Sequence, residues 1–142
     1  MPLYFHKEQV ELKINEESIS NWVAVSIKKL SFKEGDISVI FCSDDYLKQI
    51  NINYLNHDYY TDIITFDYSD KNIISGDLFI SIDRVRENAD INNENFNREI
   101  CRVIIHGILH LCGYNDKTSK EKEEMRELED IFLNTIPWKP DV

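Results

Sequence analysis

The sequence predicts an α+β protein in which helices pack on a single mixed sheet. Three observations carry that expectation. Apolar residues recur at helical spacing in several separate stretches, and runs rich in β-branched and aromatic residues include two adjacent segments spaced as a hairpin, which breaks any regular strand–helix alternation. A third is size: 142 residues suit one domain, residues 1–142, with one respectable core. Hydrophobic residues at 42%, charged residues at 30%, only 4 Gly and 3 Pro exclude a disordered or fibrous chain.

The elements follow in order. Residues 3–5 read as a short strand, and Val10-Glu11-Leu12-Lys13-Ile14 alternates apolar and charged residues as a second extended piece would. Over 16–30, Ile19, Trp22, Val23, Ile27 and Leu30 form one face of an amphipathic helix, with Lys28 and Lys29 at the end that favours cations. Glu34-Gly35-Asp36 reads as a turn before a buried strand over 37–42. Ser43-Asp44 offers an N-cap for a helix to about Leu55. After the polar loop 56–60, segments 62–68 and 73–82 are spaced as an antiparallel pair. Asp83 can cap a helix to about Ile91, and the stronger helix 97–111 carries Ile100, Val103, Ile104, Gly107, Ile108 and Leu111 on its apolar side. Gly113 stops it, and Thr118-Ser119-Lys120-Glu121 has the form of a capping box for a last helix ending before Pro137.

Sixteen Lys and Arg against 26 Asp and Glu give a formal charge of −10. That balance opposes non-specific attraction to DNA, RNA or an anionic membrane, so an RNA substrate would need a local basic patch. Cys42, Cys101 and Cys112 are odd in number and form no CxxC pair, as expected of reduced thiols rather than a disulfide framework. The first residues lack a secretory pattern and no apolar run approaches the roughly 20 residues that cross a bilayer, so a cytoplasmic protein without a membrane partner is expected.

The chemistry concentrates in 106–116. His106 and His110, four residues apart on a helix, lie about 40° apart around the axis and about 6 Å apart along it, so both rings can reach one ion. The chain must then reverse to deliver a third ligand. Gly113 can take the positive φ that a reversal needs, and Asp116 would close the site. Two imidazoles and a carboxylate suit zinc, and three protein ligands leave a fourth position for water, so one catalytic Zn2+ per chain is expected. A peptidase of the H-E-x-x-H type would need glutamate where Gly107 stands. Arg98 and Arg102 lie two turns and one turn before His106. Arg102 is the candidate phosphate contact, and pairing of these arginines with Glu94 and Glu99 is the alternative. Lys28, Lys29 and Lys33 read as a solvated helix end, and His6 and His57 as structural or surface residues.

These residues resemble the YbeY family of bacterial metal-dependent endoribonucleases. The family's HGxLHLxGYDH motif looks like His106-Gly107-Ile108-Leu109-His110-Leu111-Cys112-Gly113-Tyr114-Asn115-Asp116. Its Thr-Asp-Val-Leu-Ser-Phe stretch is similar to Thr61-Asp62-Ile63-Ile64-Thr65-Phe66, and its Gly-Asp strand to Ser75-Gly76-Asp77-Leu78-Phe79-Ile80. The resemblance implies a zincin-like fold related to zinc peptidases, a zinc ion, and cleavage of single-stranded ribosomal RNA in small-subunit 3′-end maturation and ribosome quality control. Ribosomes and ribosome-associated factors are the implied partners. Two positions depart from the family: Asp116 stands where histidine is usual, and Leu55 aligns with an arginine thought to serve cleavage. Two other functions stay open at this point: a zinc metallopeptidase, and a non-catalytic ribosome assembly factor with a structural metal.

Overall fold

A computed structural model describes residues 3–138. The elements run β1 (Leu3–Lys7), α1 (Glu16–Lys29), β2 (Lys33–Cys42), α2 (Asp44–Leu55), β3 (Ile63–Asp67), β4 (Ile73–Ser81), α3 (Ile82–Ile91), α4 (Phe96–Leu111) and α5 (Ser119–Leu133). One four-stranded sheet has the order β1-β2-β4-β3, so the α+β mixed sheet is found as expected. The pairs β1–β2 and β2–β4 are parallel, while β3 returns antiparallel beside β4 with Ile63 opposite Ile80. The predicted pair is therefore a hairpin that leaves β3 at one edge.

Strand alternation divides the core between two faces. Ile37, Val39 and Phe41 of β2 and Ile74, Leu78 and Ile80 of β4 are buried in one cluster with apolar residues of α1 and α4. Cys42, Leu47 and Ile64 form a smaller cluster with Ile50, Phe66 and Phe79, where α2 covers the sheet. Within α4, Ile100, Ile104, Ile105, Ile108 and Leu109 are fully enclosed. Burying each such side chain contributes about 1.5–3 kcal/mol. The helix that carries both histidines is thus the most firmly seated in the molecule.

Three local expectations need correction. Residues 10–14 form no strand: the Glu8 N–H makes a last bond to the Phe41 carbonyl at 2.8 Å, and Gln9, at φ 57°, turns the chain off the sheet. Leu12 is buried all the same, because alternation reports which side chains are covered and not whether the backbone is paired. Gly35-Asp36 is no turn but lies inside β2, at an irregularity where the register with β4 shifts between Glu34 and Ile37. The cap of α3 is Ser81, whose hydroxyl accepts from the Arg84 N–H, whereas the Asp83 carboxylate accepts from the Asp44 N–H of α2. No helix among the described residues is long and apolar enough to cross a membrane.

Candidate metal centre

The C-terminus of α4 builds the site. Asn95 caps its start, accepting from the N–H groups of Asn97 and Arg98. At the other end Gly113, at φ +96°, donates to the His110 carbonyl (2.9 Å), and Tyr114 donates to the Leu109 carbonyl (3.0 Å), the paired bonds of a Schellman termination. The reversal returns the chain over the last turn. Asp116 Oδ2 then lies 3.2 Å from His106 Nε2 and 3.5 Å from His110 Nε2, and the two Nε2 atoms are 3.0 Å apart. His106, His110 and Asp116 thus form a half-buried group with ligand atoms all within 4.8 Å of one another, a group that could hold a metal ion.

The donor set fits a cation because the other ring nitrogens are already engaged. His106 Nδ1 lies 2.6 Å from Glu129 Oε2 on α5, and His110 Nδ1 lies 2.9 Å from the Tyr114 carbonyl. With Nδ1–H donating to those oxygens, each imidazole presents an unprotonated Nε2 to the same point. The same turn therefore delivers Asp116 and orients His110. Burial works against a charged His106 ring, but the Glu129 carboxylate, with Asp116 and Asp62 nearby, raises its proton affinity above the ordinary imidazole value. A cation at this point would replace that proton as counter-charge.

Gly107 explains the missing glutamate. A Cβ there would meet Ile63 Cδ1 and Leu78 Cδ2 at 2.9 Å, so position 107 faces the apolar sheet and not the ligands. A carboxylate on that side would be buried without a partner.

Arg102 is drawn into a buried network. Its guanidinium donates to Glu129 Oε1 at 3.1 Å and Asp130 Oδ1 at 2.8 Å, with Glu99 at 3.9 Å, and its side chain is 9% exposed. Glu129 is thereby held from one side by Arg102 and supports His106 on the other. Arg98, by contrast, pairs with Glu94 at 3.7 Å. His57 stacks on Tyr59, with ring centroids 5.2 Å apart, and does not reach the ligand group.

Two hollows meet at the site, both lined by Asp62, His106 and Asp116. One runs along β3 and is bordered by Leu55, His57, Tyr59 and His110; the other lies against α5. Asp62 precedes β3, and burial pushes its carboxyl above the usual range although the nearby His106 opposes this. Sequence reading missed Glu129 and gave Asp62 no role. Glu129 hides in an acidic helical run, Lys120-Glu121-Lys122-Glu123-Glu124-Met125-Arg126-Glu127-Leu128-Glu129-Asp130, where only burial separates it from its neighbours.

Comparison with known proteins agrees with this architecture. The family model described as endoribonuclease YbeY matches residues 4–137. An endoribonuclease YbeY of Parabacteroides distasonis is 49% identical over 138 residues, covering 96% of this chain and 97% of the relative. That of Cytophaga hutchinsonii is 48% identical over 134 residues, covering 93% and 94%. A Thermotoga maritima protein solved in solution superposes with a TM-score of 0.67 at 26% identity, over 94% of this chain and 88% of the other.

Proposed function

The chain belongs to the endoribonuclease YbeY family and is a hydrolase of that class; from this premise we propose a zinc-dependent endoribonuclease that cleaves single-stranded ribosomal RNA in the cytoplasm. Its tasks in this reading are maturation of the small-subunit RNA 3′ end and ribosome quality control, in contact with ribosomes and their associated factors. The observation that carries the reading is the convergence of His106 Nε2, His110 Nε2 and an Asp116 oxygen, with both Nδ1 atoms already committed.

Zinc held by these three residues would supply Lewis acidity, polarising a phosphoryl oxygen and acidifying water near neutral pH. The remaining roles fall to the chain. Glu129 and the Tyr114 carbonyl fix the two rings, and Arg102 fixes Glu129. In this reading Arg102 serves the phosphate only indirectly, because its donors are turned to Glu129 and Asp130. Asp62, held by burial toward its protonated form, is the carboxyl suited to exchange a proton beside the ligands. A peptidase would need its base at position 107, which faces the sheet.

Metal-loaded protein incubated with single-stranded ribosomal RNA fragments should cut them, and the His110→Ala variant should not. Equal cleavage by both would assign the activity to a contaminant and end this reading.

A further inference from the structure

The endoribonuclease reading, on which the following rests, requires that an RNA strand approach a chain of formal charge −10. Cations beside the ligand group decide whether it can. The hollow along β3 has no lysine or arginine among its described lining residues. The cavity against α5, about 390 Å³, is lined by Arg102, Lys122 and Arg126 as well as by Asp62, His106 and Asp116. These three cations differ in availability. Arg102 is spent on the buried Glu129 and on Asp130. Lys122 is exposed and has no ion pair among the described residues, while Arg126 reaches Glu129 only at 4.0 Å and keeps 54% of its side chain in solvent.

We propose that Lys122 and Arg126 form a phosphate-binding subsite that seats the RNA backbone on the α5 side of the metal centre. The two residues stand four apart on α5, so they share one face and are about 6 Å apart along the axis. That lets them grip neighbouring phosphates of an extended strand. Arginine can hold a phosphate through two parallel bonds and lysine as a point charge. Their position also matters electrostatically. Glu99 and Glu129 in the same cavity already face Arg102, so the carboxylates left opposite the two α5 cations are Asp62 and Asp116, the second of them in the ligand group.

The test compares binding of a labelled single-stranded RNA by fluorescence anisotropy across a salt series. His110→Ala serves as the background so that the RNA survives, with and without Lys122→Gln plus Arg126→Gln. Loss of two phosphate contacts should weaken binding about tenfold and lower the slope of log affinity against log salt by about 1.4, at about 0.7 per phosphate for single strands. In otherwise native protein the same pair should raise KM with zinc content unchanged, and Lys122→Arg plus Arg126→Lys should restore binding. Lys28→Gln plus Lys29→Gln, on α1, changes net charge equally and should leave the slope as it was. An unaltered slope in the α5 variant, or an equal loss from the α1 variant, would overturn the subsite while a cleaving native protein kept the nuclease reading intact. Binding that obeys the prediction without cleavage would support the subsite and sink the nuclease reading.

Discussion

Glu129 Oε2 sits 2.6 Å from His106 Nδ1, so α5 reaches across to fix a ring carried by α4. The carboxylate is buried, and its other oxygen accepts from Arg102 at 3.1 Å. A chain of contacts, Arg102 to Glu129 to His106, therefore sets which nitrogen of the ring faces Asp116. Metal ligands supported this way bind more tightly because the tautomer and the ring orientation are chosen before the ion arrives.

The first prediction follows from that relationship. Glu129→Gln keeps the shape but removes the charge, and should lower metal affinity about 10–100-fold. Competition with a chelating dye measures it, with circular dichroism to confirm that helices persist. Native affinity in the variant would reduce Glu129 to a packing residue.

Arg102→Ala should behave as the loss of a buried partner, not as the loss of a surface phosphate contact. It strands Glu129 and Glu99 without their cation, at a cost of about 3–5 kcal/mol. Urea denaturation reads this directly. Native stability combined with a large rise in KM for RNA would mean that the guanidinium leaves its carboxylates and meets substrate.

Gly76→Ala should destabilise the sheet beneath the site. A Cβ at that position would lie 2.4 Å from the Phe66 carbonyl of the neighbouring strand and 2.8 Å from Leu111 Cδ2 at the end of α4. Backbone cannot give way as a side-chain tip can, so a cost of about 1–3 kcal/mol is expected in thermal or urea unfolding. A neutral substitution would show that β3 and β4 are less closely apposed there.

The thiols should be inert while the protein is folded. Burial, chiefly, pushes Cys42, Cys101 and Cys112 each up to about 12, with nearby carboxylates adding to the shift at Cys42 and Cys112. At pH 8 only about one thiol in ten thousand would be ionised, against about a quarter at an ordinary pKa near 8.5. Alkylation should therefore run more than about a hundredfold slower than in urea, and rise with pH well above 9. Rapid labelling at pH 8 of Cys42 or Cys101, both enclosed, would contradict the packing of the core.

Much of this was legible in the residues because it depends on local periodicity. Ile100, Val103, Ile104, Ile108 and Leu111 announce α4, and once that helix is drawn His106 and His110 share a face. Gly113 then announces the reversal, found at φ +96°. What escaped depends on contacts distant in sequence or on backbone pairing that side chains do not encode. Arg102 finds Glu129 and Asp130 27 and 28 residues away, where its nearer candidate Glu99 stands 3.9 Å off. Leu12 alternates like a strand residue yet lies beyond the turn at Gln9, and Gly35 reads as a turn while sitting at an irregularity within β2. Leu55, legible in the sequence as a departure from the family's arginine, takes its place in three dimensions as an uncharged side chain on the rim of the hollow along β3.

Elemental analysis of the purified protein beside its Asp116→Ala variant tests the central claim most directly. One zinc per native chain, its loss in Asp116→Ala and its recovery in Asp116→His are the expected results. Full zinc retention without the Asp116 carboxylate, or a native chain that takes up no metal, would contradict a centre built from these three side chains.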